Sequence, residues 1–367
     1  MTRTQRSWMA SISAALGLLS LVAVACFHFP ELLTSRDFRA VYSESFARRL
    51  LLAGLVAAFL LGTLAILRGR DRRVALAGVG SATLAVLLGG ADIQLDDIGQ
   101  TPWSLGLDWF VVSLLFSALV FIPLEKTLGR IPQSPLRPGW RTDVGYFFLS
   151  HVLVQFILIV VTTWTSTVAA LAAFPPLQAA IQWLPTWAQF LLAVLVADLA
   201  QASLHRAYHR VPFLWRFHAV HHSSEHMDWL AGSRMHLLEI VLTRGFVLLP
   251  LVVLGFAPGA INAYVILVGL QAVLAHANLG VRFGWLEHVL VLPRYHHWHH
   301  ARREDFVDAN YAIHLPLVDR LMGTHRLPAD GSWPAEYGIL DPTEVPRGLW
   351  RQHFTPFLQR KATRPQE

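Results

Sequence analysis

Eight apolar runs, each near the ~20 residues a helix needs to cross the hydrocarbon core of a bilayer, dominate this 367-residue chain. They fall at about Trp8–Phe27, Leu50–Leu67, Val74–Gly90, Trp109–Leu124, Val144–Ala172, Trp187–Leu204, Ile240–Phe256 and Ala260–Ala275. In a bilayer every backbone polar group must be satisfied internally, so runs of this length and spacing predict helices. Charge supports the reading: a soluble domain carries about 25% charged residues, and this chain has 15%. The expected fold is all-α, a polytopic membrane helical bundle. A single cysteine, Cys26, excludes a disulfide scaffold, and 24 Gly and 20 Pro without period exclude a collagen-like repeat.

The fifth run is long enough to span with a tilt or to include an interfacial turn. The last two are short and joined by Ala257-Pro258-Gly259, which suits a tight hairpin that enters the membrane without fully crossing it. Arg3 and Arg6 ahead of an apolar stretch give the first run a faint likeness to a secretory or lipoprotein signal, but the leucine expected three before Cys26 is missing, so a retained anchor is expected.

Arginine placement sets the orientation, because Lys and Arg close to span ends stay in the cytoplasm. Arg68, Arg70, Arg72 and Arg73 follow the second run, and Lys126, Arg130, Arg137 and Arg141 follow the fourth. The loops 91–107 and 173–186 hold no Lys or Arg; only the loop with Arg36, Arg39, Arg48 and Arg49 runs against the alternation. Both termini and a histidine-rich helical cap are therefore expected in the cytoplasm. Topology accounts for the net charge of +6, so no nucleic-acid partner is needed. Arginine outnumbers lysine 28 to 2, with abundant alanine, which fits a GC-rich bacterium and its inner membrane.

Histidine is the second unusual feature: 13 of 18 lie between His205 and His300. On a continuing sixth span, Asp198, His205 and His209 share one face. His218-Ala-Val-His221-His222 and His296-His297-Trp298-His299-His300 both contain the spacing HxxHH. About 0.04 such triplets are expected by chance at this histidine frequency, so two of them beside an HxxxH pair are not coincidence. Eight imidazoles, from His205, His209, His218, His221, His222, His296, His299 and His300, exceed one ion and suit two, and imidazole favours Fe, Zn, Cu or Ni over Mg or Ca.

The order HxxxH, HxxHH, HxxHH on a polytopic chain resembles the fatty acid hydroxylase and sterol desaturase superfamily, the membrane-bound histidine-rich non-haem di-iron oxygenases. The likeness runs through Asp198–His209, Arg210–Ser223, Arg234-Met-His236-Leu-Leu-Glu239, His276-Ala-Asn278-Leu-Gly and Asn310–Thr324, covering about residues 140 to 330. The resemblance implies the eight histidines and His276 as metal ligands, His236 as a ligand or a supporting partner, and Asp198, Arg234, Glu239 and Asn278 as supports, Asp198 by fixing imidazole tautomers. Ala272 stands where some relatives carry a further histidine, so either His236 completes the site or the second metal is more open. His226, His288, His314 and His325 read as loop or interfacial residues, and His297 lies off the shared face.

By the same resemblance the cofactors are two Fe ions, with zinc in a purified or non-catalytic form, and the activity is O2-dependent hydroxylation or desaturation of a lipid. The chain has no Gly-rich dinucleotide fingerprint and no cysteine set for an iron–sulfur cluster, so a separate ferredoxin, cytochrome or reductase must deliver electrons. Arg206, Arg210, Arg216, Arg302 and Arg303 form a basic face for an acidic carrier or, alternatively, topology signals or headgroup contacts. The rival is a histidine-rich zinc-binding membrane protein, either a metal transporter or a non-catalytic sensor or scaffold. The expected organisation is an accessory region of about four spans (1–130), a catalytic core (131–330) and a Pro-rich cytoplasmic tail (331–367).

Overall fold

A computed structural model describes residues 8–34, 43–69, 71–92, 105–341 and 345–358. Arg3, Arg6, Arg36, Arg39 and Arg70, which contribute to the orientation argument, lie outside them. The described chain is helical, and among its described residues β pairing is limited to two isolated bridges, Gly129 with Leu279 and Ala301 with Tyr337. It divides into two compact units, residues 1–114 with 151–156, and residues 115–150 with 157–367.

The first unit holds α1 (Trp8–His28), α2 (Glu44–Leu67) and α3 (Arg72–Leu87). Lipid tails are as apolar as leucine, so such helices associate through close backbone approach and interhelical hydrogen bonds. Gly17 and Gly78 supply the approach: a Cβ on Gly17 would lie 2.2 Å from the Gly78 carbonyl oxygen. Ser13 Oγ donates to the Ala58 carbonyl at 2.7 Å, tying α1 to α2.

Most of α4 (Leu107–Leu128), α5 (Trp140–Val152), α6 (Val154–Ala172), α7 (Pro175–Trp183) and α8 (Thr186–Arg210) lie in the second unit. There follow α9 (Pro212–His222), α10 (Leu237–Val253), α11 (Pro258–His276), α12 (Pro293–His299), α13 (Pro316–Met322) and α14 (Leu349–Leu358). α8, α10 and α11 close over Ala193, Val194, Ala197, Val247, Leu251 and Tyr264.

Among the described residues, six helical segments, α1, α2, α3 continued through Asp92, α4, α8 and α11, are long and apolar enough to cross a membrane. The expected fifth run is divided between α5 and α6, which bend by 55°. α10 has 17 residues, with Pro250 inside it.

Two prolines aim the histidine segments. The residue before proline avoids helical dihedrals, and proline itself suits the first turn of a helix. Val211 is extended (φ −96°, ψ 111°), so α8 stops there, and Pro212 starts α9 in a new direction. His218–His222 consequently fold back on His205 and His209. Pro293 starts α12 after an extended Leu292 in the same way.

Candidate metal centre

Nine histidines gather in two adjacent groups. His205, His209, His218, His222 and His299 form one, and His221, His276, His296 and His300 the other; within each group one nitrogen per ring lies within 4.8 Å of all the others. All nine are buried. The groups meet where the His222 and His300 rings stack with centroids 4.4 Å apart.

The Nε2 atoms converge. In the first group His205 meets His218 at 3.0 Å, His209 meets His222 at 3.2 Å, and His222 meets His218 and His299 at 3.1 Å each. In the second, His276 lies 3.4 Å from His221 and 3.0 Å from His296, and His300 lies 3.1 Å from His296.

The Nδ1 atoms face outward. His205 meets the Tyr311 carbonyl at 2.8 Å, His299 that of Ala309 at 2.8 Å, His221 that of Arg234 at 3.0 Å, and His276 that of Ala272 at 2.7 Å. A carbonyl only accepts, so these four rings carry their proton on Nδ1 and, when neutral, present a bare lone pair at Nε2. His221 and His276 thus aim two lone pairs at each other across 3.4 Å. Such a contact repels unless a cation lies between, which is how a carbonyl-oriented imidazole binds a metal. The donor set therefore fits metal ions. Burial, followed by the proximity of neighbouring histidines, pushes His218, His222, His296 and His300 well below the ordinary imidazole value and favours the neutral ligating form.

The supporting residues divide by role. Glu239 Oε1 lies 2.7 Å from His218 Nδ1. Asp198 touches no imidazole. It accepts from the backbone N–H groups of Ile313, His314 and Leu315, at 2.9, 3.1 and 2.7 Å. The expectation that Asp198 fixes a tautomer is corrected accordingly: it anchors the segment after Tyr311, whose carbonyl orients His205. Asn278 clasps Ile131, accepting from its N–H and donating to its carbonyl.

Arg234 contributes its carbonyl to His221, while its guanidinium pairs with Asp143 at 2.6 Å. Asp143 also pairs with Arg137, and Arg137 grips Asp228 through two nitrogens at 2.8 and 2.7 Å. This buried network was not legible in the sequence, where Arg137 reads as a topology signal.

His236 lies outside both groups. Its Nδ1 accepts from the Leu238 N–H at 3.1 Å, capping α10, and its Nε2 donates to the His353 carbonyl at 3.0 Å. His297 is also outside, bonded to Tyr337 and to the His276 carbonyl. His314, expected at a loop or interface, is instead buried against Gln271, at 2.6 Å; its neighbours to aspartate and glutamine were too far apart in sequence to foresee. Of the basic face, Arg210 pairs with Asp308 and Arg303 with Asp305, while Arg206 is exposed.

The fold and the site together define an integral membrane protein of helices with a buried, two-part histidine centre. Residues 190–324, which contain all nine clustered histidines, match the fatty acid hydroxylase family. It is 27% identical over 264 residues to an ornithine lipid hydroxylase of Rhizobium tropici, covering 69% of this chain and 76% of that one. It is 30% identical over 162 residues to the alkylglycerol monooxygenase of Danio rerio and 32% over 149 residues to that of Homo sapiens, covering 44% and 39% of this chain. It spans only 35% and 32% of the length of those two monooxygenases. No solved structure matches it.

Proposed function

We propose that this chain is a membrane-bound di-iron oxygenase that hydroxylates, or desaturates, a lipid drawn from the bilayer. The convergence of Nε2 lone pairs in two buried groups carries the reading. A bound pair of iron ions would supply activation of O2 and its use on an unactivated C–H bond. Five imidazoles in the first group exceed the four of a closed zinc site, which favours iron there; the four of the second match a tetrahedral zinc site and keep the zinc-binding alternative open to test.

The protein's own contribution is orientation and exclusion of water. Backbone carbonyls of Arg234, Ala272, Ala309 and Tyr311 hold the rings with Nε2 inward, and burial keeps the centre dry and its histidines neutral. His205, His209, His218, His221, His222, His276, His296, His299 and His300 are the proposed ligands; Glu239 supports His218 directly, and Arg234, Asp198 and Asn278 support the others through the backbone. Similarity to an ornithine lipid hydroxylase and to alkylglycerol monooxygenases supports a lipid substrate. Electrons come from a separate donor, which Arg206 and its basic neighbours would meet. The proposed organisation keeps residues 1–130 as an accessory membrane region, 131–330 as the catalytic core and 331–367 as the tail, with the centre and both termini facing the cytoplasm of a bacterial inner membrane.

Metal analysis of the purified protein, with comparative lipidomics of expressing and non-expressing cells under O2, tests this. Bound iron with a lipid gaining an oxygen atom or losing two hydrogens is the expected result. Iron or zinc bound without any O2-dependent lipid product under any electron donor would sink it.

A further inference from the structure

The C-terminal helix α14 is built the wrong way round for a helix in water. Trp350, Phe354, Phe357 and Leu358, at positions i, i+4, i+7 and i+8, share one face and are 61 to 77% exposed, whereas Gln352 on the opposite face, with Pro356 and His353 beside it, is buried. The polar face is used inside the protein. Gln352 Nε2 donates to Ser223 Oγ at 3.4 Å, next to His222, and His353 lends its carbonyl to His236. The Phe357 ring lies against Phe217, centroids 5.2 Å apart, so the helix is seated and not loose.

Charge says what covers the other face. α14 carries no acidic residue; Arg351 on the flank of the stripe is exposed, and so is Arg347 just before the helix, which lies 4.0 Å from Glu225. The sequence continues with Arg360 and Lys361. An apolar stripe holding Trp and Phe, edged by arginine, on a chain already held in a membrane, is the pattern of a helix lying in the interfacial plane. We infer that α14 is an interfacial helix, with Trp350, Phe354, Phe357 and Leu358 among the upper acyl chains and Arg347 and Arg351 at anionic headgroups.

This assignment is independent of the oxygenase reading. It also brings the lipid interface to one helix layer from the histidine centre, since α14 rests on Phe217, Ser223 and His236.

Cys26 is the only cysteine and is buried, so Phe354→Cys in a Cys26→Ser background accepts one environment-sensitive fluorophore. In nanodiscs containing phosphatidylglycerol, the label is expected to emit as in an apolar medium, to be quenched by lipids brominated high on the acyl chain, and to be shielded from aqueous iodide. Quenching by iodide would overturn the assignment, and so would shielding from both quenchers, which would mean that a protein surface covers the stripe. Arg347→Glu with Arg351→Glu should weaken the brominated-lipid quenching at least two-fold in phosphatidylglycerol and leave it unchanged in phosphatidylcholine. Equal quenching in both lipids would overturn the headgroup contact. Unchanged metal content of each variant confirms that it is folded.

Discussion

The two units solve helix packing by opposite means. In the first, α1, α2 and α3 approach through Gly17, Gly62 and Gly78, with Ser13 as an interhelical polar contact, and alanine is the commonest residue in its buried apolar clusters. The second buries nine clustered histidines, Glu239, and an ion network of Arg137, Asp143, Asp228 and Arg234. Small residues maximise contact, whereas buried polar groups cost several kcal/mol each unless partnered. A chain accepts that cost where the polar groups have work to do. The second unit is therefore the one whose integrity depends on specific partners.

The sharpest way to break the contrast is His221→Ala with His222→Ala, which removes one donor from each group. Loss of bound metal and of any oxygenase activity together is expected, read by metal analysis; retained metal at full occupancy would refute the proposed ligands. The next effect is on pH. Histidines held well below their ordinary value in the folded state stay unprotonated where the unfolded chain takes up protons. Stability of the metal-free protein should therefore be highest above the ordinary value of about 6.5 and fall as pH drops below it, by up to about 1.4 kcal/mol per histidine per pH unit. Thermal unfolding in detergent at pH 7.5 and 5.5, after chelation, measures it; a melting temperature independent of pH would contradict the buried neutral assignment.

Arg137→Ala leaves Asp228 with an uncompensated buried charge, while Asp143 keeps Arg234, and should cost about 3–5 kcal/mol. Chemical denaturation should show it. Gly17→Leu forces a side chain against the Gly78 backbone and should cost about 1–3 kcal/mol, yet leave metal content unchanged. Metal loss in that variant would show that the first unit is needed to hold the centre. The smallest effect belongs to His236→Ala, which removes the α10 cap for about 0.5–2 kcal/mol. Full metal occupancy is expected, and the loss of one ion would return His236 to the ligand set.

Sequence spacing was most informative where chemistry repeats at helical intervals. His205 with His209, and the triplets at His218 and His296, announce shared helix faces without knowledge of the fold, and the family match over residues 190–324 falls on the same segments. Span positions were equally legible, since length and hydropathy decide them; six of the eight appear as candidate spans. Spacing failed for partners contributed by backbone. Nothing in the residue types at positions 272, 309 or 311 says that their carbonyls orient a histidine, because every residue has a carbonyl. It failed too for His236, whose local likeness to its neighbours hid a capping role.

Local sequence thus determined that this chain is helical, belongs in a bilayer and carries imidazoles in pairs and triplets, because hydropathy and helical periodicity are properties of neighbouring residues. Tertiary structure decided how those sets divide into five and four, which ring nitrogen faces inward, and that Asp198 and Arg137 hold backbone in place. Most of those outcomes depend on groups far apart in sequence, such as His221 with His276, 55 positions away, and Asp198 with Ile313, 115 positions away, which meet only when Pro212 and Pro293 turn the chain back on itself.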